Sequence, residues 1–288
     1  MDSMWGMSLP DIERWSRRVV AVRGLNPGPF TGPGTNTYLI GNGRRPLLLD
    51  TGIGVDGYPP LLERALREEC GSDAPGDLLI THVHPDHMGG APALLRHFGA
   101  RRVAKFPWPA RDERFEIQLT PLADGAEIRA DGVSLRAIHM PGHAQDHLCF
   151  YLEEEAALFT GDVVLGAGTT VIPLEGGDMT LYLDSLRRIL ELDLARIYPG
   201  HGPLIDDPRA KIEEYLQHRE QRETQIMEAI HAGLTSVERM VEKIYRETPR
   251  ALHPAAAQSV LSHLKKLERE GRAARSMDAA GEEHWGLT

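Results

Sequence analysis

Apolar residues in the first two hundred positions come in short runs, each closed by glycine, proline or an ionisable residue. VVAVRGL (19–25), TYLIG (37–41) and PLLLD (46–50) therefore predict strands. YPPLLERALREEC, from Tyr58, carries Leu61, Leu62, Ala65 and Leu66 at helical spacing and predicts a helix. LLITH is a strand again, and MGGAPALLRHFGA opens the next helix. VSLRAIHM, HLCFYLEE and ALFTGD form a later strand series. MTLYLDSLRRILEL, from Met179, predicts a helix with Leu181, Leu183, Leu186, Ile189 and Leu190 as its apolar stripe, and ARIYPGH is one more short strand. This alternation is that of an α/β protein.

The pattern changes after His201. PRAKIEEYLQHREQRETQIMEAIHAG predicts a long charged helix, followed by helices in SVERMVEKIYRET and LHPAAAQSVLSHLKKLEREGRAAR and a short mixed tail. Helix, turn, helix and a terminal ribbon outline a winged helix. The expected domains are a catalytic domain over 1–207 and a linker helix with a winged helix over 208–288. Two glycine-rich loops, 26–36 and 164–178, have the length and position of an active-site rim.

Composition narrows the class. A formal net charge of -10 argues against broad non-specific nucleic-acid binding. The two cysteines, Cys70 and Cys149, suit a reducing compartment, and Cys149 in HLCFYL reads as core filling. No apolar stretch approaches the roughly 20 residues that span a bilayer. MDSMWGMSLPDIERW carries early acids and no apolar signal core, so a cytoplasmic location is expected.

LLITHVHPDHMGG holds the candidate chemistry. A strand ends in His82, His84, Asp86 and His87, and LRAIHMPGH, ALFTGD and RIYPGH each deliver one more ligand-type side chain: His143, Asp162 and His201. Delivery from several strand ends builds a site at one sheet edge. Five imidazoles and two carboxylates exceed what one tetrahedral zinc takes and suit two zinc ions. His82, His84 and His143 are assigned to the first ion, Asp86, His87 and His201 to the second, and Asp162 bridges them. Residues i and i+2 of an extended segment share a face, so His82 and His84 grip one ion; the turn at Pro85 carries Asp86 and His87 toward the other. Asp50, closing LLLD, is the candidate partner of a ligating imidazole. His139 and His147 read as pocket neighbours. His97, His218, His231, His253, His263 and His284 lie on helix or tail patterns and read as solvent facing.

LLLDTG, THVHPDH, PGH, TGD and YPGH in this order resemble the metallo-β-lactamase superfamily. NPGPFTGPGTNTYLIG, GAGTTV, YPGHGP and SHLKKLEREG resemble, more narrowly, the beta-lactamase-like protein 2 family, whose animal members are mitochondrial endoribonucleases. PLEGGD after Ile172 departs as a longer loop. The resemblance implies an αββα sandwich with a C-terminal winged helix, two zinc ions at the seven ligands above, and hydrolysis; metal chemistry makes a bridging hydroxide the expected nucleophile, with Asp86 as the catalytic carboxylate that holds it in line. The expected substrate is single-stranded RNA. Lys265, Lys266, Arg269, Arg272 and Arg275 lie along one stretch of the tail, yet from Glu220 onward ten basic residues face eleven acidic ones. The alternative is a small ester, thioester, lactone or β-lactam, with the tail as a dimerisation or lid element in a homodimer. A third class is a mononuclear iron persulfide oxygenase, against which His87 and His201 argue by completing a second site.

Overall fold

The computed structural model describes residues 6–99 and 102–288. The reading of positions 1–5 and the end of the helix expected up to Ala100 lie outside the described residues. The chain forms two compact units. The first comprises the described residues up to Met140, with Asp146–Thr170 and Leu192–Arg209. The second comprises Pro141–Gln145, Val171–Glu191 and Ala210–Thr288.

The first unit holds two sheets. One has seven strands in sequential order: β1 (Ile12–Arg14), β2 (Val19–Arg23), β3 (Asn36–Ile40), β4 (Leu47–Leu49), β5 (Leu78–Leu79), β6 (Val103–Lys105) and β7 (Leu119–Pro121). From β4 to β7 they run parallel. The other holds β8 (Glu127–Ala130), β9 (Val133–His139), β10 (Leu148–Leu152), β11 (Ala157–Gly161) and β12 (Arg196–Pro199), in the order β12-β11-β10-β9-β8, with only β11 and β12 parallel.

Alternation explains the layering. Val19, Ala21, Tyr38, Ile40, Leu47 and Leu49 share one core with Leu135, Ala137, Phe150, Phe159 and Tyr198 of the second sheet. The intervening Val20, Val22, Leu39 and Leu48 turn to the outer face. There Tyr58, Leu62 and Ala65 of α1 (Tyr58–Ala65) cover them, as does Leu94 beyond the short α2 (Pro85–Met88), in α3 (Ala91–Phe98). A short α4 (Pro109–Asp112) follows β6. The strands β6, β7 and β8 were not expected: VAK, LTP and EIRA lack the continuous apolar run that marks β4 and β5.

In the second unit, α5 (Met179–Leu190) precedes α6 (Pro208–His231), α7 (Val237–Ile244), α8 (His253–Arg269) and the hairpin β13 (Ala273–Met277) and β14 (Glu283–Leu287). Ile226, Ile230, Met240, Val241, Val260, Leu264, Leu267 and Trp285 form its core. Val237, Met240, Val241 and Ile244 of α7 fall at i, i+3, i+4 and i+7, the spacing of one buried stripe. Two side-chain expectations need correction. Leu181 is exposed, because the buried face of α5 runs through Met179, Tyr182, Leu183, Leu186 and Ile189. His263 is fully buried rather than solvent facing, because it shares the inward face of α8 with Val260, Leu264 and Leu267. Among the described residues no helix is long and apolar enough to cross a membrane.

Candidate metal centre

Parallel strands bring their carboxyl ends to one edge. β4 ends at Asp50 and β5 runs into Thr81 and His82, side by side. The equivalent edge of the second sheet carries Asp162 after β11 and His201 after β12, with Gly200 N–H donating to Gly161 O at 2.8 Å. A buried clamp sews the sheets together at this edge. Asn36 Nδ2 donates to the carbonyls of Pro199 (2.8 Å) and Gly202 (2.9 Å), and Tyr38 donates to Pro199 O at 2.6 Å. Both glycine-rich loops reach ligand-type residues: Gly34 O faces His201 Nδ1 at 3.4 Å, and Thr170 Oγ1 donates to Asp162 O at 2.5 Å.

His84 stays extended (φ -61°, ψ 145°) and Pro85 starts the single turn α2, so the chain changes direction between His84 and Asp86. Asp50 has a left-handed backbone (φ 59°), an uncommon conformation for a residue other than glycine. Its carboxylate is fully engaged. It accepts from Thr81 N (2.8 Å), from Thr81 Oγ1 (2.9 Å) and from His87 Nδ1 (2.7 Å).

These contacts assign tautomers. His87 donates from Nδ1 to Asp50, so its neutral Nε2 is a lone pair. Thr81 spends its hydroxyl proton on Asp50 and therefore accepts from His82 Nδ1 at 3.0 Å, which leaves His82 Nε2 a lone pair. His143 donates from Nδ1 to Val171 O at 2.8 Å within the second unit, with the same consequence. His147 uses the same tautomer differently: its Nε2 lone pair accepts from Asp162 N at 3.1 Å, so it orients Asp162 rather than offering a ligand atom. Thr81 was not identified from the sequence, since nothing in the string separates it from other Thr, and His147, read only as a pocket neighbour, has this more specific part. His139 stacks on Phe106 at 4.0 Å.

Four ligand-type atoms converge around one point: His87 Nε2, His201 Nε2, Asp86 Oδ2 and Asp162 Oδ1. Five separations among them lie between 3.2 and 3.4 Å. A tetrahedral ion with ligands at about 2.0–2.1 Å has edges about 1.63 times longer, or about 3.3–3.4 Å. His87 Nε2 and His201 Nε2, 3.3 Å apart, need a positive centre between them: a proton in the metal-free chain, a metal ion in its place when loaded. The residues thus fit a divalent metal. Electrostatics agree. Burial alone would raise the carboxyls and lower the imidazoles, but opposite charges win. Asp86 and Asp162 are held well below the usual carboxylate range, and His201 rises to about 9. A second convergence pairs His82 Nε2 with His84 Nδ1 at 2.9 Å, their rings meeting edge to face.

Residues 30–201 match the family described as the metallo-beta-lactamase superfamily. The chain belongs to the metallo-β-lactamase superfamily. Residues 236–285 match the beta-lactamase associated winged helix domain, so this member joins the superfamily's αββα sandwich to a C-terminal winged helix. It is similar to the beta-lactamase-like protein 2 homolog of Drosophila melanogaster, with 39% identity over 277 residues covering 92% of each chain. It is also similar to the atrochrysone carboxyl ACP thioesterase nsrC of Aspergillus novofumigatus, at 40% identity over 225 residues, 77% of this chain and 66% of that one. A beta-lactamase domain protein of Burkholderia ambifaria has the same fold, with a TM-score of 0.85 at 20% identity over 100% of this chain and 97% of that one. This superfamily member is a metal-dependent hydrolase whose clustered His and Asp could hold a metal ion.

Proposed function

We propose that the protein is a dinuclear zinc hydrolase, with Asp86, His87 and His201 holding one ion, His82, His84 and His143 holding the other, and Asp162 bridging them. The observation that carries this reading is the set of 3.2–3.4 Å separations among four ligand atoms, the edge length of a tetrahedral metal site. His143 is assigned to the first ion from its place in the sequence, at the end of LRAIHMPGH. It lies three residues beyond Met140, whose amide is bonded to His147 O at 2.9 Å, which tethers the turn within about 10 Å of an anchored strand end.

Bound divalent ions supply Lewis acidity and lower the pKa of a coordinated water from about 15.7 to about 7. The protein's residues do the rest. Asp50 and Thr81 hold the Nδ1 protons of His87 and His82 and so free their Nε2 lone pairs, as Val171 O does for His143. Asp86 has a side chain 22% exposed against 13% for Asp162, so it is the carboxylate that borders the substrate's approach. Its Oδ2 faces His87 and His201, which leaves Oδ1 to orient the nucleophile and accept its proton.

The substrate proposed first is single-stranded RNA, supported by the near full-length similarity to beta-lactamase-like protein 2 homologs. One observation favours a small acyl thioester as the second reading. Of the five basic residues expected to grip RNA, four are committed to ion pairs: Lys266 with Glu223, Arg269 with Asp178, Arg272 with Glu223, and Arg275 with Glu283. The thioesterase similarity points the same way. A parallel panel on the zinc-loaded protein separates the readings: RNA, acyl-thioesters, lactones and β-lactams, with His84→Ala as the blank. RNA cleavage absent from the blank and falling steeply with salt supports the first. Thioester turnover without RNA cleavage supports the second, and cleavage of nothing in the panel sinks both.

A further inference from the structure

His143 occupies a turn that is gripped twice by one segment, residues 171–178. Its Nδ1 donates to Val171 O at 2.8 Å, and Asp178 N donates to Gly142 O at 2.8 Å. The turn has no slack on its other side. Gly142 is left-handed (φ +132°), and a Cβ there would lie 2.3 Å from the Tyr182 backbone in α5.

The segment is in turn fastened at both ends to α8. Near its start, Ser262 Oγ lies 2.8 Å from Ile172 O, sharing its proton with Gln258 O at 2.9 Å on its own helix. At its end, Arg269 grips the Asp178 carboxylate with two bonds, Nη1 to Oδ2 at 2.5 Å and Nη2 to Oδ1 at 3.0 Å. The same carboxylate caps α5 by accepting from Thr180 N (2.8 Å) and Leu181 N (3.1 Å). Ser262 and Arg269 are seven residues apart, two helical turns, and so share a face of α8 about 10 Å long. Between the two fasteners lies a groove of about 660 Å³ lined by Pro173, Leu174, Met179, Leu261 and Lys265. The segment is therefore held by its polar end contacts rather than by continuous packing.

We infer that the winged-helix unit is a strut for a metal ligand: Ser262 and Arg269 fix residues 171–178, and that segment fixes the orientation of the His143 imidazole. Both are positioning residues. The inference rests on the proposed role of His143 as a ligand of the first ion. It gives the winged helix a task that needs no nucleic acid, consistent with Arg269 being spent on Asp178. Removing an outer partner of a ligating imidazole weakens metal binding by about 10- to 100-fold, because the ring then samples unproductive orientations.

The test measures zinc affinity on the full-length chain by competition with a chromophoric chelator, with the visible spectrum of the cobalt-loaded protein as a second readout. The variants are Ser262→Ala, Ser262→Thr, Arg269→Gln, His143→Ala and, as a control inside the winged-helix core, Met240→Ala. We expect Ser262→Ala and Arg269→Gln to weaken one of two ions by about 10-fold or more and to change the cobalt spectrum, with Ser262→Thr restoring both. Met240→Ala should lower thermal stability and leave both affinities as in the parent. Parent-like affinity in Ser262→Ala and Arg269→Gln, or equal weakening in Met240→Ala, overturns the strut. Two ions retained in His143→Ala would instead remove the ligand assignment beneath it.

Discussion

His87 Nδ1 and Asp50 Oδ2 lie 2.7 Å apart with both side chains buried, and the Asp50 backbone is left-handed. The carboxylate thereby fixes which nitrogen of His87 carries the proton. Asn tolerates the left-handed conformation, so Asp50→Asn changes the acceptor set without forcing the backbone. The amide keeps one accepting oxygen, so its NH2 must face either the Thr81 backbone N–H, now on Oδ1, or the His87 Nδ1 proton, now on Oδ2. We expect the ion held by His87 and His201 to bind about 10- to 100-fold more weakly, read by chelator competition. Unchanged affinity would show that Asp50 serves only the strand end.

Asp86→Ala removes the more exposed carboxylate of the site while Asp162, His87 and His201 stay. The expected result is a folded protein that takes up metal at saturating concentration but loses about 10²- to 10⁴-fold in turnover. Metal content and circular dichroism establish the folded, loaded state. Full activity in that state would refute a role for Asp86 in orienting or deprotonating the nucleophile.

Gly200 is required by a close approach. A Cβ there would meet Asp162 Oδ1 at 2.7 Å and the Gly161 backbone at 2.8 Å. Gly200→Ala must therefore push Asp162 off the shared point or part β11 from β12. We expect about 1–3 kcal/mol of lost stability together with weaker metal binding. Calorimetry of the apo and loaded forms separates the two effects, and a loaded Gly200→Ala protein as stable as the parent would contradict the packing.

Metal removal should lower stability beyond the loss of activity. Two carboxylates and two imidazoles share one buried spot, and a cation binding there stabilises only the folded chain. At a free metal concentration 100 times Kd the gain is about 2.7 kcal/mol. Dialysis against a chelator should reduce Tm, with recovery on adding zinc. A Tm indifferent to chelation would argue that these groups hold no metal.

Much of the site was legible because ligation imposes residue types at strand ends, and those positions are punctuated in the sequence. His87, Asp86, Asp162 and His201 stand together as the strand-end pattern required. What supports them was not legible. Thr81 orders His82 through one hydroxyl, and His147 spends its Nε2 lone pair on the Asp162 amide; neither fact has a sequence signature. The same holds for the tail. Its basic stretch reads as a binding face, yet the partners that neutralise it, Glu223 and Asp178, lie 43 and 91 residues away along the chain. Helical spacing misplaced Leu181, which sits on the edge of the α5 stripe, and a polar residue type misplaced His263.

That buried histidine gives the chain a pH-dependent weakness. His263 is fully buried on α8 beside Arg219, Lys266, Arg222 and His218. Burial first, then these cationic neighbours, pushes its imidazole down to about 3, and burial also lowers the half-exposed His218 to about 4. The folded chain therefore keeps His263 neutral while the unfolded chain protonates it below about 6.5. Between those values the unfolded state binds more protons, so stability falls as the pH falls through this window and is fully present above it. For His263 alone the loss from pH 7 to pH 5 is about 2 kcal/mol. Denaturant titrations of the parent and of His263→Leu test this. The variant removes the titrating group and fills its place with an apolar side chain, so its stability should depend less on pH over that interval. Parallel curves for the two proteins would mean that His263 is protonated alike in the folded and unfolded chain.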